Sequence, residues 1–323
     1  MREVRGGDGI HLPDCRVWFD SLRAKTFGVV SHAHSDHAAW HDVTVLTPPT
    51  AALMRARRGS SAKTVRETPF FSPYEHSSAR ITLIPAGHVL GSAQVFLESD
   101  SGTVLYSGDF KLRPSLTAEQ ATTVQADTLV MECTFGRPHY RFPATEEIRC
   151  DIIAFCQNAV TAGEIPILLA YSIGKSQELL ALLAGAGLRI VIHPTIYKMA
   201  RIYEQFGVSF PLLEEFDGNN YEGSVIICPP NTRDQLAHIP RAKFAVASGW
   251  ALDKSAIFRY RCDAAFPLSD HADYEELIAY VGKVSPKRVY TVHGFVEDFA
   301  RDLRRLGIEA LALGGQNQLE LRL

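Results

Sequence analysis

The chain is 323 residues long, 46% hydrophobic and 21% charged, with a formal net charge of −3, which supplies enough apolar material for one large core or two moderate ones. No window approaches the ~18 consecutive apolar residues of a membrane span, and the opening Met-Arg-Glu-Val-Arg-Gly-Gly-Asp lacks the apolar stretch of a secretory signal, so a cytoplasmic protein without a membrane partner is expected. The net charge excludes a global polyanion-binding signature, and six cysteines without a CxxC pair speak against a disulfide framework or thiolate zinc knuckle, leaving buried free thiols.

Residues 26–31 (Thr-Phe-Gly-Val-Val-Ser) read as a short buried strand that runs straight into a histidine-rich stretch. Similar apolar runs at Ile81-Thr-Leu-Ile-Pro, Ala93-Gln-Val-Phe-Leu, Thr103-Val-Leu-Tyr-Ser and Thr128-Leu-Val-Met-Glu each close on a polar or glycine-rich turn, so the first segment is β-rich. From about residue 145 helix and strand alternate. The apolar residues of 145–156 fall at helical spacing, residues 165–170 form a strand and Gly174 to Ala184 a helix, and strands at 189–192, 224–228 and 244–247 complete a small parallel α/β unit. A helix from Tyr274 to Val281, a strand at 288–292 and a closing helix finish the chain.

The chemistry gathers in Ser31-His32-Ala33-His34-Ser35-Asp36-His37. On an extended segment i and i+2 share a side, so one metal takes His32 and His34 while a neighbour takes Asp36 and His37. Imidazole and carboxylate suit zinc, manganese or iron, and two ions about 3.5–4 Å apart clamp the attacking and leaving oxygens of a phosphate. Four ligands are too few for two ions. His88, between glycines, Asp109 in Ser-Gly-Asp, and His293 in Val-His-Gly are the further candidates at strand ends. Asp20 is read either as a carboxylate that fixes a ligand histidine's tautomer or as a turn residue.

In this order, Asp20, the HxHxDH cluster, His88 and Asp109 resemble the motifs of the metallo-β-lactamase fold. Three more resemble its β-CASP branch of nucleases: Glu132 in Met131-Glu-Cys-Thr-Phe-Gly, His271 in Leu268-Ser-Asp-His-Ala-Asp-Tyr, and His293 in Val292-His-Gly. The likeness covers nearly the whole chain, including Ala170-Tyr-Ser-Ile-Gly-Lys-Ser-Gln-Glu-Leu-Leu and Ala247-Ser-Gly-Trp. Within the branch it is most similar to bacterial ligase-associated exonucleases, also called mRNA 3′-end-processing-factor-like proteins, through Tyr106-Ser-Gly-Asp-Phe-Lys-Leu-Arg-Pro and Glu132-Cys-Thr-Phe-Gly-Arg-Pro.

The resemblance implies an α/β protein: an αββα sandwich built from residues 1–160 and 263–323, with a short β-CASP α/β insert at 161–262. It implies two divalent ions, zinc first and manganese as the alternative, one held by His32, His34, His88 and Asp109 and the other by Asp36, His37, Asp109 and His293. Asp36, Glu132 and His271 would be catalytic, with His271 the general acid oriented by Glu132 and the product carrying a 5′-phosphate. Away from the family match, His271 reads first as a surface residue in a helix cap. Single-stranded DNA cut exonucleolytically in repair is the expected substrate and RNA the alternative, with a DNA ligase or helicase as implied partners. A hydrolase of a thioester or lactam on the same fold, or a non-catalytic nucleic-acid scaffold, are the competing readings.

Phosphate anchoring is expected at Ser172, Gly174, Lys175 and the Ser248-Gly249 turn, where backbone N–H groups at strand ends commonly hold anions, although a plain turn explains them as well. Arg55, Arg57 and Arg58 either track a nucleic-acid backbone or form an exposed basic helix face. His139, His193 and His238 fit no constellation and are read as structural.

Overall fold

The short apolar runs that open the chain make short strands. In the computed structural model, which describes residue 4 and residues 6–314, Ile10–Leu12 (β1), Val17–Phe19 (β2), Phe27–Val29 (β3), Val43–Leu46 (β4) and Thr64–Glu67 (β5) form a five-stranded sheet in that order. The pairing is antiparallel between β1 and β2 and parallel from β2 onward. Helix α1 (Pro48–Arg58) leaves β4 through Thr47, whose hydroxyl accepts the Thr50 N–H, and two prolines preset its first turn. Pro73–His76 (β6), Ala79–Pro85 (β7), Ala93–Ser99 (β8) and Gly102–Tyr106 (β9) then run as an antiparallel meander, to which Thr128–Cys133 (β10) adds in parallel.

Phe142–Asp270 form a separate unit. It contains α2 (Thr145–Thr161), β11 (Ile165–Leu169), α3 (Lys175–Leu182), β12 (Arg189–Ile192), α4 (Pro194–Gln205), β13 (Glu214–Glu215), β14 (Ser224–Cys228), β15 (Ala242–Ala247), α5 (Ala256–Tyr260) and β16 (Ala264–Phe266). Its six strands are parallel throughout, in the order β13-β12-β14-β11-β15-β16. Every residue of β11 and β14 is buried, as continuous apolar strands covered on both faces should be. Ile148, Ile152, Leu179 and Ile196 from the helices cover one face, and Leu236, Ile239 and Tyr260 the other. The unit takes in α2 and β16, which lie on either side of residues 161–262.

From His271 the chain rejoins the first unit. Helix α6 (Tyr274–Val284) starts with a capping box between Asp273 and Glu276. Strand β17 (Arg288–Gly294) pairs in parallel with β10, α7 (Val296–Arg305) follows, and β18 (Ala310–Ala312) closes the edge. The second sheet thus reads β18-β17-β10-β9-β8-β7-β6. Between the sheets Phe19, Val29 and Val45 pack against Leu83, Val95, Tyr106, Val130 and Val292. On the far side of the second sheet Leu105, Leu129 and Met131 meet Leu277, Tyr280, Phe299 and Leu303 of α6 and α7. The result is the αββα sandwich with an inserted parallel α/β unit that the sequence led to. The six cysteines are free, and all but Cys150 are buried.

Candidate metal centre

The expected ligands, and the carboxylates read as supporting them, sit where strands give out: Asp20 after β2, His32 and His34 after β3, His88 after β7, Asp109 after β9, Glu132 next to last in β10, and His293 near the end of β17. A sandwich whose strands end together there collects polar side chains that no strand can bury.

The extended alternation holds from His32 to His34 only. Beyond His34 the chain turns, and the N–H groups of His37 and Ala38 both donate to the His34 carbonyl, at 3.2 and 2.9 Å. That turn brings His37 back toward His32, their ring centroids 4.3 Å apart, and leaves Asp36 exposed.

His32, His34, His88 and Asp109 each offer a ligand atom, and these atoms all lie within 4.8 Å of one another. Asp109 Oδ2 stands 3.5 Å from His32 Nε2, 3.4 Å from His37 Nε2 and 3.9 Å from His88 Nε2. His88 Nε2 and His34 Nδ1 are 3.0 Å apart. His32 is fully buried, yet its Nε2 has no hydrogen-bond partner. A buried nitrogen without a partner is costly unless something takes its lone pair, and a divalent cation among three imidazoles and a carboxylate does so. The residues therefore fit a metal.

The tautomers are set from behind. Asp20, at φ +46°, accepts from Ser31 N at 2.7 Å, Ser31 Oγ at 2.5 Å, Tyr106 OH at 2.8 Å and His37 Nδ1 at 2.8 Å. Because the Ser31 proton goes to Asp20, Ser31 Oγ accepts from His32 Nδ1 at 2.9 Å. Both His32 and His37 are thereby turned so that Nε2 faces Asp109. Ser31 and Tyr106 were not among the expected site residues; the signal for Ser31 was its place directly before the cluster.

Electrostatics follow from burial. Burial holds His32 well below the usual imidazole value, and the neighbouring charge of His37 adds to it. For His37 burial also disfavours the charge, but the carboxylates of Asp109 and Asp20 outweigh it and raise the group to about 10. Asp109 is pushed up by burial, and the charge of Glu132 outweighs in company with it the pull of His37.

The second expected set is more open. His37 lies beside Asp109, and the ring of His293 is 4.8 Å from that of His37. His293 is exposed and held at φ +52°; after it Gly294 is at φ +87°, where a Cβ would lie 2.3 Å from the Cys133 carbonyl. Among the described residues Asp36 joins none of the tight ligand groups. Burial raises its carboxyl, but His37 and His34 prevail and lower it.

Glu132, 1% exposed, takes Phe110 N–H on Oε1 at 2.8 Å, Thr134 Oγ1 on Oε2, and His271 Nδ1 on both oxygens at 2.9 and 3.0 Å. Burial works to raise the Glu132 carboxyl, but His271, Thr134 and the Phe110 N–H together lower it. The ring of His271 is 4.6 Å from that of His88, and Arg113 Nη2 donates to the His271 carbonyl at 3.1 Å.

The basic cluster lies exposed on the last turn of α1, as one of its two readings had it, and it also ties down the histidine loop. Arg57 Nη1 donates to the Ala33 carbonyl at 2.7 Å and Arg58 Nη1 to the Ala38 carbonyl at 3.1 Å, one at each end of the histidine loop. Arg55 pairs with Glu67 at 2.6 Å.

The expected phosphate anchors lie in the other unit. Lys175, 1% exposed, gives its ammonium to the Leu268 carbonyl at 2.9 Å and Asp270 Oδ1 at 2.7 Å, an enclosed arrangement that does not present the charge to a phosphate. Ser248 Oγ accepts from Trp250 N and caps the turn Gly249–Leu252. Ser172 offers its carbonyl to Gln177 Nε2, and Gly174 N donates to Gln177 Oε1, so both serve the start of α3. His139 lies against Tyr140 with its ring tilted by 40°, His193 caps α4, and His238 bonds the Gln235 carbonyl.

Comparison with known proteins agrees with this geometry. Residues 261–313 match the family described as the Zn-dependent metallo-hydrolase RNA specificity domain, RMMBL. Over 99% of its length the chain is 47% identical to a protein of Opitutus terrae named probable DNA ligase, of which it spans 32%. Over 88% of its length it is 25% identical to the 5′ exonuclease Apollo of Rattus norvegicus, of which it spans 55%. The chain thus corresponds to only part of these longer relatives. A crystal structure from Enterococcus faecalis V583, described as a protein of unknown function, shares the fold with a TM-score of 0.62 at 10% identity, covering 90% of this chain and 80% of that one.

Proposed function

This chain belongs to the β-CASP branch of the metallo-β-lactamase fold, and from that premise we propose that it is a two-metal phosphodiesterase that cleaves nucleic acid, with Phe142–Asp270 as the branch's insert. The observation that carries the reading is the Glu132–His271 pair set against the histidine cage, with the His271 ring 4.6 Å from that of His88. A hydrolase of lactams or thioesters has no need of such an acid.

His32, His34, His88 and Asp109 would hold one ion, and Asp36, His37, Asp109 and His293 the other, zinc before manganese. When bound, such ions lower the pKa of water and offset charge on the phosphoryl oxygens. The chain's own residues do the rest. Asp20 and Ser31 aim the Nε2 lone pairs of His37 and His32 inward. Glu132 holds Nδ1 of His271, so that Nε2 is the ring nitrogen that delivers the proton. Water adds to phosphorus and releases a proton to solvent, the P–O3′ bond breaks, O3′ leaves with the His271 proton, and solvent returns a proton to His271. The phosphate stays with the 5′ oxygen.

For the substrate we propose single-stranded DNA, degraded as an exonuclease would in repair. The name of the Apollo relative, a 5′ exonuclease, supports this, and that of the ligase-named relative fits a ligase partner. A second reading, RNA processing, is favoured by the RNA specificity family at 261–313.

The test is incubation with end-labelled single-stranded DNA and matching RNA, in zinc and in manganese, beside Asp109→Ala and His271→Ala. Cleavage that leaves 5′-phosphates, abolished in the first variant and strongly slowed in the second, is expected. No cleavage of either strand by metal-loaded protein would overturn the proposal.

A further inference from the structure

Phe27 starts β3 and His32 follows its end, about 16 Å further along an extended chain. At the Phe27 end lies a cavity of about 720 Å³, within the size range of small-ligand sites. Its walls combine two kinds of group. One is aromatic: the imidazole of His11 stacks on Trp18, with centroids 4.1 Å apart and planes at 11°, and His76 stacks on Phe27 at 3.5 Å and 11°. Trp18 is turned outward from β2, between the buried Val17 and Phe19, and its partner on β3 is Gly28, where the His41 ring fills the space a side chain would take.

The other kind is cationic. Arg16 is exposed, held at φ +56° where the turn Pro13–Cys15 ends, and Lys25 Nζ rides 3.9 Å from the Trp18 ring centroid. Neither side chain has a hydrogen-bond or ion-pair partner among the described residues. The one acid among the described residues that line it, Asp42, is already bound to Lys63 at 3.0 Å. A roomy, open cavity with two uncompensated cations and half-exposed rings calls for an anion that carries a flat apolar group. A nucleotide has both: phosphate for Arg16 and Lys25, and a base for the half-exposed ring of His76 beside Trp18.

We infer that this cavity is a second nucleic-acid site, which holds a nucleotide of the strand away from the metal centre. The inference rests on the nucleic-acid reading of that centre and adds a binding site to it. A strand gripped at both ends of β3 is tethered while its end is cut, so the cavity acts on affinity and leaves the chemical step alone.

The experiment titrates metal-loaded protein with a phosphorothioate-linked oligothymidylate, which resists cleavage, and follows indole fluorescence. Wild type should show a saturable change that Trp18→Phe removes. Arg16→Gln/Lys25→Gln should weaken binding at least tenfold with an unchanged melting temperature, and should raise KM for long strands at constant kcat. Unchanged affinity in the double variant overturns the inference, as does full competition by inorganic phosphate at the same concentration. Binding through the cavity without cleavage of any strand would instead sink the phosphodiesterase reading and leave this one standing.

Discussion

Ser31 Oγ accepts the Nδ1 proton of His32 at 2.9 Å, and it must, because its own proton is committed to Asp20 at 2.5 Å. One hydroxyl therefore decides which nitrogen of a fully buried histidine faces the cage. In Ser31→Ala the imidazole loses that constraint, and zinc affinity should fall about 10–100-fold, as is usual when a group behind a ligand is removed. Ser31→Thr should restore it. Competition against a chromophoric chelator reads the affinity without any catalytic assay, and a Ser31→Ala protein that binds zinc like wild type would refute the relay.

Metal-free protein should be most stable near neutrality. The His37 pKa rises from 6.5 to about 10 on folding, so the stability its proton contributes is complete below about 6.5 and is lost as pH climbs toward 10. Asp109, also raised, acts in the same direction. His32 is depressed, so its contribution is present above 6.5 and is lost as pH falls. Zinc replaces the proton on His37, so loading should flatten the alkaline side of the curve and release protons. Thermal melts of chelated and loaded protein between pH 5 and pH 10, with calorimetry in two buffers of different ionisation heat, test both statements. A chelated protein that gains stability from pH 7 to pH 10 would contradict them.

Glu132→Gln keeps the shape of the side chain and removes the carboxylate charge beside Nδ1 of His271. Cleavage of nucleic acid should slow by about 10²–10⁴-fold, the usual worth of a positioned acid. Hydrolysis of the 4-nitrophenyl ester of thymidine 5′-monophosphate should change little, since nitrophenolate leaves without a proton. Equal losses on both substrates would mean that Glu132 serves the fold or the metal and not proton delivery.

Arg57 and Arg58 fasten the two ends of the loop that carries the candidate ligands His34, Asp36 and His37. Both guanidinium groups are partly in water, so each bond should be worth about 1 kcal/mol. Arg57→Ala/Arg58→Ala should weaken metal binding about tenfold and speed amide exchange over residues 33–38, while the global melting temperature of the chelated protein moves little. Unaltered exchange in that loop would show that the arginines face substrate instead.

Much of this site is written in local sequence. Four ligand-type residues within six positions, and lone histidines or carboxylates bracketed by glycine at strand ends, need no tertiary knowledge to be noticed. The same holds for β7 to β11, whose apolar runs are long enough to show a period. Strands β1 and β2 have three residues each and give no period, so their sheet is invisible until Ile10 pairs with Phe19. Of helix α1 only the basic face shows in the sequence, since its apolar side is short. The Asp20 role depends on a positive φ and on Tyr106, 86 residues away, and neither is encoded nearby. Lys175 shows the converse: a lysine after a glycine turn looks like a phosphate anchor, but only the fold reveals that it is enclosed and committed to Asp270.

The register of β10 on β17 sets Thr128 opposite Arg288. During synthesis the chain therefore carries His32, His34, His88 and Asp109, one complete ligand set, long before the strand that delivers His293 has left the ribosome. N-terminal parts fold first, and distant parallel pairing is slow. If the chain holds the two ions proposed for it, the ligands of the first position are thus all synthesised ahead of His293, and the expected order of filling is the order of translation.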